Sequence, residues 1–255
     1  MSRVVVVSGG GTGIGRAVAE AFAADGERVV LVGRRPEVLE ATAAEITAAA
    51  DGATPEVEAV AADLSTAAGA DRVREVVGAR AGGVDVLVNA AGGNVALGAP
   101  PAEGSPAERA AEHWTGNFRA NVLTAVLLTE ALRDLLAPGG RVLLLSSIAA
   151  YRGSGTGSYA GTKAALHPYA FDLAAALGPR GITVNVVAPG YVERTEFFRG
   201  ALSAERERTL IGQTLNGRAG TPEDVAETVR WLASAGAAHV TGQIVQVNGG
   251  AERGR

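Results

Sequence analysis

Two apolar patterns alternate along the chain. Short runs rich in Val and Leu, apolar at successive positions, fall at 3–7, 28–32, 56–61, 84–89, 141–146, 183–187 and 243–247. Continuous apolarity fits strands covered on both faces rather than strands with one wet side. Between them lie longer Ala-rich stretches of helical character at 14–24, 36–50, 66–80, 105–136, 158–177 and 222–233. Pro36 suits the first turn of its helix. Thr221, followed by Glu223 and Asp224, reads as an N-cap with acid in the first turn. Strand–helix alternation of this kind predicts an α/β fold with a doubly wound parallel sheet of about seven strands. No linker or repeat divides the chain, so 1–255 is read as one domain. Two places break the pattern. Pro168 lies inside a helix and leaves Ala164 without its donor, a defect of roughly 3 kcal/mol, which predicts a kink or break. Residues 191–220 are polar, carry the pair Phe197-Phe198, and are expected to form a weakly structured substrate lid.

The chain has 255 residues, 47% of them hydrophobic, with a net charge of −4 and a pI near 5.5. Arginines are spread without a basic run, which argues against a nucleic-acid partner. There is no cysteine, so disulfides and thiol chemistry are excluded. His113, His167 and His239 are far apart and lack ligand spacing; no metal is expected. Tyr151, close behind Ser146-Ser147, could line a pocket. No apolar run reaches membrane-spanning length, and no cationic lead precedes the first strand. The expectation is a soluble cytoplasmic protein.

The first strand runs into "SGGGTGIG", which places Gly9, Gly13 and Gly15 directly before a helix. Glycines bring backbone close to a ligand. A helix N-terminus offers free N–H groups and a positive dipole end to a pyrophosphate. This is the pattern of a Rossmann-type dinucleotide site, and the absence of a lysine after the glycines excludes a P-loop. At the end of the second strand an acid would select NAD(H) through the ribose hydroxyl. Gly33 stands there, followed by Arg34 and Arg35, whose guanidinium forks suit a 2′-phosphate. NADP(H) is therefore expected, with NAD(H) as the alternative.

Lys163 is the one lysine among 23 Lys and Arg residues, and Tyr159 precedes it by four positions. That spacing puts both on one helix face. A phenol titrates near 10, too high for easy proton exchange at neutrality, and a nearby ammonium lowers that value. Tyrosine then serves as general acid toward a carbonyl or base toward an alcohol. Lysine is compact where arginine is a broad fork, so its survival here suggests a site where shape matters.

In order, the chain carries the glycine loop, "NAAG" at 89–92, "SSIAA" at 146–150, "YAGTK" at 159–163, Pro189-Gly190 and "GRAGTPEDVA". Over essentially its whole length it resembles the short-chain dehydrogenase/reductase family. The resemblance implies Tyr159 as proton donor and Lys163 as the residue that holds the nicotinamide ribose. It implies Ser147 on the substrate carbonyl and Asn121 in support of a water-mediated proton path. Ser146 is the competing serine. Implied cofactor contacts are Gly9, Thr12, Gly13, Ile14, Gly15, Arg34, Arg35, Asp63, Leu64, Asn89, Ala90, Gly92, Tyr159, Lys163, Pro189, Gly190 and Val192. Thr195 sits one residue later than is common in the family. The implied activity is hydride transfer between NADP(H) and a carbonyl or secondary alcohol, with an acyl thioester as one substrate class, as in ketoreductases of the 3-oxoacyl-carrier-protein type. Sugar or polyol dehydrogenases are rivals, and a catalytically silent dinucleotide-binding regulator is the reading from another class. A homo-oligomer, tetramer or dimer, is implied as well.

Overall fold

The computed structural model describes residues 2–49, 55–80, 82–97, 103–155 and 157–253. The sheet contains β1 (Val4–Ser8), β2 (Arg28–Gly33), β3 (Val57–Ala61), β4 (Val84–Asn89), β5 (Leu136–Leu145), β6 (Thr183–Pro189) and β7 (Ile244–Val247). All pairs are parallel, in the order β3-β2-β1-β4-β5-β6-β7. The order reverses between β1 and β4, which opens a crevice at their carboxyl ends.

The helices are α1 (Gly13–Ala24), α2 (Pro36–Ala49), α3 (Ala67–Arg80), α4 (Pro106–Phe118), α5 (Thr124–Leu132), α6 (Ala149–Arg152), α7 (Gly157–Leu177), α8 (Ala204–Gly212) and α9 (Pro222–Leu232). Strand alternation sorts them into two layers. Val5, Val7, Val29 and Leu31 face α1, α2 and α9, where Phe22, Leu39 and Val229 complete one core. Val6, Val30 and Val32 face the other way, onto Val73 of α3, Leu128 of α5 and Leu166 of α7. Both strand faces are therefore dry, as the unbroken apolar runs require. The Ala50 end of the second expected helix lies outside the described residues.

Four expectations need correction. The single helix over 105–136 is two helices joined by a π-helical turn, Arg119–Leu123. It opens on a capping box between Ser105 and Glu108. β5 begins at Leu136 rather than Arg141, because Leu136 pairs with Val84 across a register shift. The 191–220 segment is not merely irregular: it holds α8, capped by the Ser203 side chain at the Arg206 amide. Val192 and Gly220 bridge its two ends. Finally, α7 runs through Pro168 without a break. Leu166, Ala170, Leu173 and Leu177 are buried along the sheet, and that packing outweighs one missing hydrogen bond. Thr221 does cap α9, in a reciprocal box with Asp224.

Because Pro168 leaves the Ala164 carbonyl without its intrahelical donor, Pro168→Ala should stabilise the protein by about 1–2 kcal/mol. The thermal midpoint should rise by a few degrees; an unchanged or lower midpoint would show that the carbonyl is satisfied in some other way.

Candidate active site

A cavity of about 1190 Å³ opens at the carboxyl edge of the sheet. Each wall is the segment that follows one strand. β1 supplies Gly9 and Thr12–Gly15, β2 Gly33–Arg35, β3 Asp63 and Leu64, β4 Ala90–Val95, β5 Ser146–Ala149 and β6 Gly190–Val192. Short connections on a rigid sheet fix these groups relative to one another.

The glycine loop shows why its spacing is needed. Gly9 and Gly13 have φ of 69° and 52°. A Cβ at Gly15 would stand 2.2 Å from the Gly9 carbonyl oxygen, so only glycine lets α1 approach the strand end. Thr12 is the N-cap of α1 but makes no side-chain cap. Among the described residues no protein acceptor meets the amides of Gly13, Ile14 and Gly15. Free N–H groups at a helix start, facing a cavity, fit an anion.

On the adenosine side, Arg34 and Arg35 both line the cavity. Arg35 is engaged by Glu196 at 2.9 Å, whereas Arg34 has no hydrogen-bond partner among the described residues. Asp63 Oδ1 accepts from the Ser65 amide at 3.0 Å and its hydroxyl at 2.8 Å. Those two bonds, then the nearby Arg34 charge, hold its carboxyl below the ordinary range against the opposing effect of burial. Asn89 lies behind the cavity wall. It is buried, donates to Thr129 Oγ1 at 3.0 Å and does not reach the cavity. It ties β4 to α5 and so braces the sheet.

At the other end α7 carries Tyr159, Lys163 and His167, one turn apart on one face. Tyr159 is 5% and Lys163 4% exposed. Lys163 Nζ donates to the Leu145 carbonyl at 2.8 Å. Tyr159 and Lys163 are both shifted toward their neutral forms by burial. The phenol is pushed up to about 12, opposed only by the Ser147 hydroxyl. The ammonium is pushed down to about 8. The expected lowering of the phenol by the lysine is thus absent in the free protein, because desolvation dominates and Nζ is turned to Leu145.

The two serines face differently. Ser146 Oγ donates to the Lys163 carbonyl at 2.9 Å and meets His167 Nε2 at 2.9 Å. Ser147 lines the cavity with Tyr159 and is the serine that acts on the phenol, and its Oγ accepts from the Ala149 amide. Asn121, in the π turn, does not point into the cavity. Its Oδ1 accepts from the Gly93 amide at 3.0 Å, and its Nδ2 donates to the Gly93 and Asn117 carbonyls, each at 2.9 Å. The extra residue of the π turn brings this amide against the β4 loop. A Cβ on Gly92 would meet Asn121 Oδ1 at 2.6 Å and Lys163 Nζ at 3.0 Å.

Sequence reasoning missed His167 as the partner of Ser146, although its place one turn beyond Lys163 carried the signal. It missed Asn117, which is fully buried between the Val95 amide and Ser158 Oγ. Tyr151 packs on His167 at 5.4 Å and does not line the cavity. Phe197 does line it, with its ring 5.4 Å from that of Tyr159. Thr195 also lines it and lies against Gly13. Among the described residues no cluster of His, Asp or Glu could hold a metal, and no helix is long and apolar enough to cross a membrane.

Since Asn121 satisfies three backbone groups, Asn121→Leu should destabilise the cofactor-free protein by at least about 2 kcal/mol. Urea unfolding measures this; full stability combined with lost turnover would assign the residue to chemistry alone.

A family model described as enoyl-(acyl carrier protein) reductase matches residues 9–252. An uncharacterized oxidoreductase of Methylorubrum extorquens is 38% identical over 253 residues, covering 97% of each chain. The 3-oxoacyl-[acyl-carrier-protein] reductase FabG of Escherichia coli is 32% identical over 254 residues, covering 97% of this chain and 96% of its own. A short-chain dehydrogenase from Burkholderia cenocepacia, solved in complex with NADP, superimposes with a TM-score of 0.84 at 30% identity, over 98% of this chain and 97% of the other. With the ordered motifs and the seven-stranded parallel sheet, these matches establish that the chain belongs to the short-chain dehydrogenase/reductase family of NAD(P)-dependent oxidoreductases.

Proposed function

We propose that the protein is an NADP(H)-dependent carbonyl reductase, working on a ketone of the 3-oxoacyl type. The observation that carries this reading is that Ser147 and Tyr159 line one cavity, with the serine hydroxyl acting on the phenol against its burial. Two hydroxyls that line one cavity can both turn to one substrate oxygen. A carbonyl oxygen, with two lone pairs and growing negative charge, is the acceptor that such a pair fits.

The residues present also fit the coenzyme. The uncapped start of α1 would hold the pyrophosphate, and Arg34, with Arg35 once released from Glu196, the 2′-phosphate. Asp63 and Leu64 would flank the adenine, while Pro189, Gly190 and Val192 would border the nicotinamide. When bound, NADPH supplies the hydride. Ser147 then holds and polarises the carbonyl oxygen, and Tyr159 gives it the proton. Lys163 lies one turn below and acts on Tyr159 through its charge and through the coenzyme ribose. Asn121 acts by position: it holds Gly93, and with it the β4 loop, against α7. Phe197 and the rest of 191–220 form the lid over Tyr159. Trp114, Phe118 and Phe171 remain 45–50% exposed on α4 and α7, which supports burial of these faces in a homo-oligomer.

Tyr159→Phe should lower turnover of NADPH with a ketone by roughly 100- to 10,000-fold, while NADPH still binds, as read from its fluorescence. Undiminished turnover would end the mechanism. Arg34→Ala should lower the ratio of NADPH to NADH efficiency roughly tenfold; an unchanged ratio would remove this arginine from coenzyme selection.

A further inference from the structure

The cavity wall beyond Tyr159 carries cations that no carboxylate neutralises. Arg152 ends α6, the short helix that follows Ser147. Its Nη2 donates to Gln213 Oε1 at 2.8 Å and its Nη1 to the Ala251 carbonyl at 3.2 Å. Both acceptors are neutral, so the guanidinium is oriented while its charge is left whole. Across from it stands α8. Arg206, Leu210 and Gln213 recur with helical spacing on one face, and all three line the cavity. The Arg206 side chain has no hydrogen bond or ion pair among the described residues. The same is true of Arg199, which also lines the cavity.

This wall contrasts with much of the surface. Elsewhere arginines meet acids directly, as in Arg3–Glu27, Arg74–Asp134, Arg218–Asp224 and Arg230–Asp25. The carboxylates that line the cavity are committed on the coenzyme side: Asp63 to Ser65, and Glu196 to Arg35. Glu207, next to Arg206 on α8, accepts from the Tyr191 hydroxyl at 2.8 Å and does not line the cavity. An acidic chain thus keeps a locally cationic wall at the substrate end. Guanidinium forks bind carboxylates and phosphates through paired, charge-assisted hydrogen bonds.

We propose that Arg152 and Arg206 form a subsite for an anionic group, a carboxylate or a phosphate, carried by the substrate at a distance from its carbonyl. Leu202, Leu210 and Phe198, on the same cavity wall, suit an apolar chain between the two ends. This inference rests on the carbonyl-reductase reading and narrows its substrate class.

The test is a matched set of ketones: 5-oxohexanoate, methyl 5-oxohexanoate and 5-oxohexyl phosphate, with NADPH oxidation followed for each. At least one of the two anions should exceed the methyl ester in kcat/KM by roughly tenfold or more, chiefly through KM, and the better of them identifies the group. Arg206→Gln, an exposed position that should fold normally, and Arg152→Gln should each collapse that preference toward the ester value. The ratio within one variant is independent of how much of it is folded. An ester as good as both anions, or a preference that survives both substitutions, overturns the subsite while the carbonyl-reductase reading stands. If none of the three ketones is reduced, calorimetry on the NADPH-loaded protein decides. Anion-specific binding that Arg206→Gln removes upholds the subsite and counts against the reductase reading; no anion-specific binding overturns the subsite.

Discussion

Two hydrogen bonds bolt α7 to the end of β5, and the site depends on them. Ser146 Oγ reaches the Lys163 carbonyl, and Lys163 Nζ reaches the Leu145 carbonyl. One runs from strand to helix and the other from helix to strand, both deep in the molecule. Together they set the height of α7 against the strand and so bring Tyr159 level with Ser147. His167 closes the arrangement from one turn further along. With the Ser146 hydroxyl proton directed to Lys163, the imidazole must supply Nε2–H, which fixes its tautomer. Burial, which lowers its tendency to protonate, favours the same neutral ring.

Burial also explains the electrostatics of the free site. A phenol pushed up to about 12 and an ammonium pushed down to about 8 are the responses of two groups denied water without a countercharge. The Phe197 ring contributes by covering Tyr159. A cationic or polar ligand in the cavity acts on these groups with little screening. Both groups are thus held toward their neutral forms by burial.

The two ends of the cavity are joined through the 191–220 segment. Arg35, behind β2, meets Glu196 of the 191–220 segment across the cleft. Both side chains are more than half exposed, so the pair contributes little stability and yields readily to a stronger anion. The same segment contains α8, whose face carries Arg206 and whose end holds Gln213 against Arg152. Glu196, which holds Arg35, and Arg206 thus sit on one piece of chain, anchored by the Val192–Gly220 bridge.

Much of this was legible in the chain itself. Unbroken valine runs require strands buried on both faces, and local rules fix the glycine turn, the Thr221 cap and the four-residue step from Tyr159 to Lys163. These are short-range constraints, so a linear reading recovers them. The π turn at Asn121, the unbroken passage of α7 through Pro168 and the inward turn of Asn89 depend on packing between elements far apart in sequence. So does the division of labour between Ser146 and Ser147. Adjacent residues at a strand end point to opposite sides, and only the placement of α7 decides which hydroxyl shares the cavity with the phenol and which meets the histidine. The direction of the tyrosine shift was out of reach for the same reason: desolvation is a property of everything packed around a group, whereas the sequence names only its neighbours along the chain.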